Sequence, residues 1–126
     1  MQRERRILIV DDQLDIREMT ALVLSGAGYT ADTAGSGEAA LDALGQQRYD
    51  LVLLDINMPG MDGWETLRLI RADDALELLP VVMFSIKGEM RDKIESLQEG
   101  AVDYITKPFE VDHLIERVGR LVGGAA

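Results

Sequence analysis

Cysteine is absent from the 126-residue chain. No disulfide framework can brace it, and no thiolate is available for zinc, an iron–sulfur cluster or nucleophilic attack. Histidine occurs once, as His113, on the polar side of the last helical stretch beside Asp112 and Glu116. It reads as a solvated surface residue, neither phosphodonor nor ligand. No apolar run approaches the ~20 residues that a bilayer-spanning helix needs, and no h-region follows the opening Met1 to Arg6 to make a signal peptide. Basic charge is also short. Lys and Arg number 13 against 23 Asp and Glu, a net charge of −10, whereas direct nucleic-acid binding normally needs a basic face. These absences predict a cytoplasmic protein with no membrane contact and no direct nucleic-acid binding. The acidity leaves room for a cation site. With 47% hydrophobic and 29% charged residues, the chain reads as one folded domain, large enough to bury roughly two-thirds of its unfolded surface.

What is present is organised around Leu51 to Gly63, LVLLDINMPGMDG. Leu51–Leu54 is apolar without alternation, the pattern of a strand buried on both faces of a parallel sheet. It stops at Asp55, and Pro59-Gly60 and Asp62-Gly63 then supply turn chemistry. Ile7–Val10 is a second such run and also ends on acid, Asp11-Asp12. Helical spacing follows at Ile16, Met19, Leu22 and Val23, stopped by Gly26 and Gly28. Tyr29–Ala34 is a weaker strand. Ser36 is placed to cap a helix whose small apolar face is Ala40, Leu41 and Leu44. Trp64, Leu67 and Ile70 or Arg71 mark another, ending before Pro80.

Val81–Phe84 is a fourth strand, followed by Ser85. Met90, Ile94 and Leu97 form a helical stripe closed by Gly100. Val102–Ile105 is a short fifth strand before Thr106-Lys107-Pro108. The last helix has the clearest period, at Val111, Leu114, Ile115, Val118, Leu121 and Val122. Five strands alternating with five helices, with no internal repeat, predict an α/β fold, a single doubly wound parallel sheet. The economical strand order is 2-1-3-4-5, the flavodoxin-like arrangement.

Polarity begins at the strand ends: Asp11-Asp12 after the first, Asp55 after the third, Ser85 after the fourth, Lys107 after the fifth. In a parallel sheet these ends share one edge, and strands one and three flank the switch point where such folds gather ligands. Three carboxylates so close repel, so either one is protonated or a cation lies among them. Magnesium suits such a group, since one or two carboxylates hold it while it keeps water and phosphate oxygens.

This set, together with Asn57-Met58-Pro59-Gly60-Met61-Asp62-Gly63 and Tyr104 to Phe109, resembles the response-regulator receiver domain of two-component signalling over nearly the whole chain. The resemblance implies one receiver domain over residues 1–126, with a core at about 6–122 and residues 123–126 as a tail or the start of a linker. It implies that Asp55 is the phosphoacceptor, with Asp12, Asp55 and the Asn57 backbone carbonyl on Mg2+ and Asp11 ligating directly or through water. Lys107 would pair with Asp55 and then with a phosphoryl oxygen, across a cis Lys107-Pro108 bond. Ser85 would donate its hydroxyl to the phosphoryl group, and Tyr104 would be the aromatic switch that moves inward. The implied partners are a sensor histidine kinase or phosphotransfer protein and an unknown downstream protein. The downstream protein would meet a face of the fourth helix, fifth strand and fifth helix, and a dimer formed on phosphorylation is left open.

Plainer readings stand beside these. Asp11-Asp12 and Asp55 can be helix caps, Ser85 a polar loop residue, and Tyr104 a half-buried strand aromatic. Ile86 departs from the resemblance, which has Ala or Gly there, and with Lys87 it is expected to alter phosphate gain and loss. A phosphate-independent receiver-like module is a competing function. An aspartyl-nucleophile phosphatase is another, but Asn57 stands where its companion acid belongs. A flavin or dinucleotide binder lacks its Gly-rich loop after the first strand.

Overall fold

The computed structural model describes residues 4–85 and 90–122. Ile86, Lys87, Gly88 and residues 123–126 lie outside the described residues. The elements run β1 (Arg6–Val10), α1 (Leu14–Gly26), β2 (Thr30–Ala34), α2 (Gly37–Gln46), β3 (Leu51–Asp55), α3 (Gly63–Ala72), β4 (Val81–Ser85), α4 (Met90–Gln98), β5 (Asp103–Thr106) and α5 (Val111–Leu121). A short 3-10 turn, Asp74–Leu76, fills the gap before Pro80. All strand pairs are parallel and the sheet order is β2-β1-β3-β4-β5, as expected. The fold is the flavodoxin-like α/β sheet.

Side chains alternate across a strand, so each apolar run feeds two cores. Leu8, Val10, Val52, Leu54 and Met83 pack with Ala40 and Leu44 of α2 and Leu67 and Ile70 of α3. Ile7, Ile9, Leu51, Leu53, Val82 and Phe84 pack on the other face with Leu24 of α1 and Leu114 and Val118 of α5. Burial on both faces is why Ile7–Val10 of β1 and Leu51–Leu54 of β3 carry no polar residue before their terminal acids. Edge strand β2 has only Ala34 buried. Ser36 caps α2, its hydroxyl oxygen accepting from the Ala39 amide at 3.1 Å.

Two helices differ from expectation. α1 starts at Leu14 and buries Thr20 and Leu24, whereas Met19 is 49% and Leu22 74% exposed. The Thr20 hydroxyl donates to the Ile16 carbonyl at 2.7 Å, which satisfies the polar group and lets threonine face the core. Counting apolar residues alone therefore rotated the stripe. In α4, Ile94 and Leu97 are about half exposed and Ser96 is fully buried; the side chain of Met90 lies outside the described residues. This stripe faces outward, not into the core.

Arg71, an alternative to Ile70 in the helical pattern, is a fastener. Its guanidinium donates to the carbonyls of Gly100 (2.9 Å), Leu76 (3.2 Å) and Leu79 (2.8 Å). Burial lowers its pKa, and no carboxylate is among these partners. α3 is thereby tied to the turn after α4, next to the Arg68–Glu99 ion pair at 3.3 Å.

These assignments give a stability contrast. Leu24→Ala should lower unfolding free energy by about 2–5 kcal/mol, and Leu22→Ala should change it by about 0.5 kcal/mol or less. Urea unfolding of both variants measures the difference; the reverse ranking would place the α1 face as the apolar count had it.

Candidate functional site

β1 ends by handing its chain to the sheet edge, where the Asp11 amide donates to the Ala34 carbonyl at 3.1 Å. The Asp11 carboxylate is fully buried. Its Oδ1 accepts from the Gln13 amide at 3.0 Å and its Oδ2 from Lys107 Nζ at 2.7 Å. Arg17 donates to the Asp11 carbonyl at 3.1 Å, a support that the sequence pattern did not reveal. Asp12, one residue on, is exposed. The α1 N-cap is Gln13, with no side-chain cap bond, so neither acid caps that helix. Asp55 ends β3 and is buried, and α3 is capped by Asp62, whose carboxylate accepts from the Glu65 amide at 3.0 Å. The cap reading of Asp55 is thereby replaced.

One oxygen from each of Asp11, Asp12 and Asp55 lies within 4.8 Å of the others. Among the described residues, one ammonium faces them. Lys107 Nζ is 2.7 Å from Asp11 and 3.4 Å from Asp55 Oδ1. The expected resting partner, Asp55, is therefore the farther of two, because Asp11 holds the lysine more tightly. The Lys107 amide donates to the Ser85 carbonyl at 2.7 Å, and its Nζ stands 4.9 Å from the centre of the Phe84 ring. Phe109 packs on Phe84, with ring centres 5.4 Å apart. An aromatic on each side of the Ser85 and Lys107 positions was visible in the sequence, but its use as a platform for the ammonium was not. The Lys107–Pro108 bond is cis.

Ser85 is fully buried, and its Oγ accepts from Asn57 Nδ2 at 3.3 Å. The Asn57 side chain is thus turned to Ser85, while its carbonyl remains the group expected to serve an ion. Tyr104 is only 4% exposed and lies in the core cluster with Leu54 and Met83, more buried than a half-buried strand aromatic. All seven residues singled out in the sequence stand at the C-terminal edge or on β5 beside it.

The donor set is hard oxygen with no sulfur or nitrogen ligand, carries more negative charge than one lysine offsets, and has one exposed member. It fits Mg2+. Its electrostatics point the same way. Burial pushes the Asp55 carboxyl up to about 6; Lys107 pulls it down, and Asp11 and Asp12 push it further up.

The receiver-domain family of response regulators matches residues 7–119. The chain belongs to that family. It is similar to the DNA-binding response regulator MtrA of Mycobacterium tuberculosis, 43% identical over 90% of this chain and 49% of the relative. The phosphate regulon transcriptional regulatory protein PhoB of Pseudomonas aeruginosa is 41% identical over 90% of this chain and 50% of its own length. The chain thus spans about half the length of the curated relatives it matches. Among solved structures, chemotaxis protein CheY4 of Vibrio cholerae superposes with a TM-score of 0.90 at 31% identity, covering 94% of this chain and 99% of that one. As a response-regulator receiver domain the chain is a signalling module of two-component systems. The expectation of no nucleic-acid binding finds no support here, because the MtrA relatives are named for DNA binding and a charge of −10 describes this chain alone. No helix among the described residues is long and apolar enough to cross a membrane.

The raised Asp55 value fixes a pH dependence. Because the folded value lies above the ordinary 3.8, native protein holds this proton where the unfolded chain has lost it. The corresponding stability is full below the ordinary value and is lost as pH rises through about 6. With metal chelated, Asp55→Asn should raise the urea midpoint over wild type at pH 7.5, and the difference should close toward pH 4. A variant less stable than wild type at pH 7.5 would contradict this.

Proposed function

We propose that the domain accepts a phosphoryl group on Asp55 from a histidine kinase or phosphotransfer protein and passes the change on by protein contact. The observation that carries this reading is the sharing of one buried ammonium, Lys107, between Asp11 and Asp55, with Asp12 close by and open to solvent. An Asp55 oxygen attacks phosphorus, the bond from phosphorus to its donor breaks, and an acyl phosphate forms. With a carboxyl value of about 6, the nucleophilic carboxylate is the majority form at pH 7. Mg2+, held by Asp11, Asp12, Asp55 and the Asn57 carbonyl, would neutralise charge on the carboxylates and on the phosphoryl oxygens.

Lys107 follows the new charge. Its 3.4 Å separation from Asp55 is loose enough to exchange for a phosphoryl oxygen while the 2.7 Å bond to Asp11 keeps it in the site. Ser85 exchanges its Asn57 bond for one donated to the phosphoryl group. A phosphoryl group brings roughly one further negative charge and three strong acceptors, so both donors are drawn toward it. Tyr104, already inward, then packs behind Ser85.

The surface suited to read this change is formed by α4, β5 and α5. Ile94 and Leu97 stand half exposed there, and a groove of about 350 Å3 is lined by Lys93, Tyr104, His113 and Arg117 among others. His113 is exposed, as expected of a solvated residue, and lines this groove. Asp103 pairs with Arg117 across β5 and α5. A downstream protein, or a second copy in a dimer, is the partner this face serves. The phosphatase alternative is disfavoured because Asn57 offers an amide to Ser85, not a second carboxylic acid.

Intact mass after incubation with a small acyl-phosphate donor tests the reading. Wild type with Mg2+ should gain one phosphoryl group; Asp55→Ala, or wild type without the ion, should gain none. Mg2+ at about a hundredfold over its dissociation constant should also stabilise the wild-type fold by about 2.7 kcal/mol. In Asp12→Asn the same Mg2+ concentration should give a clearly smaller gain in thermal unfolding. A gain equal to that of wild type would remove Asp12 from the ligand set.

A further inference from the structure

The first residue of α3 lies directly on the backbone that carries Asp55. A Cβ added to Gly63 would stand 2.3 Å from the Asp55 carbonyl oxygen, 2.7 Å from Ile56 Cα and 3.0 Å from the Asp55 carbonyl carbon. All three are backbone atoms, which cannot swing aside as a side chain would. The Gly63 amide donates to the Ile56 carbonyl at 2.9 Å. Gly63 is not among the positive-φ glycines, which are Gly28, Gly60 and Gly100, so what the position demands is space and not an unusual conformation.

A second glycine closes the packing from behind. A Cβ at Gly37, the first residue of α2, would stand 2.2 Å from Thr66 Oγ1 and 2.9 Å from Met61 Sδ. Thr66 is fully buried, and its hydroxyl donates to the Asp62 carbonyl at 2.8 Å. Residues 61–66 are therefore gripped between the end of β3 on one side and the start of α2 on the other.

We infer that Gly63 is a positioning residue for phosphoryl transfer, setting where the Asp55 carboxylate and the Asn57 carbonyl stand, with Gly37 holding α3 against them. The inference rests on the reading of Asp55 as phosphoacceptor. Gly63 touches neither ion nor phosphoryl group; it acts through the backbone of residues 55–57. An alanine there must open the contact by about 1 Å to reach ordinary van der Waals distance, and misplacement of that size can cost about a hundredfold in rate.

The experiment compares the 126-residue chain as wild type, Gly63→Ala, Gly37→Ala, Gly37→Ala with Thr66→Ala, and Val118→Ala. Val118→Ala is a stability control in the opposite core. Magnesium dissociation constants come from calorimetry, and phosphorylation rates from intact mass with acetyl phosphate at saturating Mg2+. Circular dichroism verifies folding. Gly63→Ala should bind Mg2+ about tenfold more weakly and react roughly 10–100-fold more slowly, whereas Val118→Ala should lose stability and keep both values. Gly37→Ala should show a smaller loss of the same kind, relieved by Thr66→Ala, which removes the hydroxyl in its way. A folded Gly63→Ala within twofold of wild type in both values overturns the inference, and so does a Val118→Ala that slows as much. If Gly63→Ala does not fold, the Gly37 pair decides: an unimpaired Gly37→Ala, or no relief by Thr66→Ala, overturns it. A wild type that binds Mg2+ but gains no phosphoryl group defeats the phosphoacceptor reading and with it the role in phosphoryl transfer, and the magnesium constants then decide only whether Gly63 places the Asp55 carboxylate and the Asn57 carbonyl. A wild type that does neither defeats both.

Discussion

One buried ammonium facing three carboxylates is the constraint on which the rest of this structure depends. Asp11 is fully withdrawn from water, and Asp55 and Lys107 nearly so. Breaking such a pair by removing one member costs about 3–5 kcal/mol, since it strands the other charge. Nor does the pair neutralise the site, because Asp12 and Asp55 bring two further acids within 4.8 Å. The site is therefore held short of electrical balance, with Asp55 driven toward protonation by burial and by its acidic neighbours. An imbalance of this kind favours a bound cation and, on the proposed phosphorylation, would draw donors toward the added charge.

The parallel sheet makes that imbalance affordable. The three central strands, β1, β3 and β4, bury their apolar side chains on both faces, in two separate cores, and the switch point between β1 and β3 places Asp11 and Asp55 side by side. The cost of crowding like charges is met by burial elsewhere in the sheet, not by interactions in the site. Phe84 joins the two tasks. It is fully buried in one core and also lies 4.9 Å beneath the Lys107 ammonium.

Much of this was legible in the sequence because it follows from local rules. Solid apolar runs ending in acid located β1 and β3, Ser36 located the start of α2, and the strand ends located Asp11, Asp12, Asp55, Ser85 and Lys107. What escaped is what local periodicity cannot carry. Thr20 is buried because its hydroxyl returns to Ile16, a bond that hydropathy does not register. Ile94 and Leu97 keep a helical stripe but point outward, since periodicity identifies a face without saying whether the domain itself or a partner covers it. Lys107 prefers Asp11 over Asp55, a matter of tenths of an ångström. Gly63 and Gly37 read as punctuation, and their meaning lies in atoms that would collide with a side chain from distant parts of the chain.

Those two glycines and Arg71 suggest how a local charge change becomes a surface change. α3 rests on the Asp55 backbone at its first residue, and near its end Arg71 bonds the Gly100 carbonyl just beyond α4. The Asp55 backbone at one end of α3 and the turn after α4 at the other are thus joined by a single helix of 10 residues. Ser85 and Lys107 form a second link, running from the site into the Tyr104 side of β5. With α4 tied at its far end through Gly100, the proposed phosphorylation would act through Ser85 and Lys107 on the α4–β5–α5 face. An anchored helix on one side and a pair of donors on the other are what the proposed two-state readout would use.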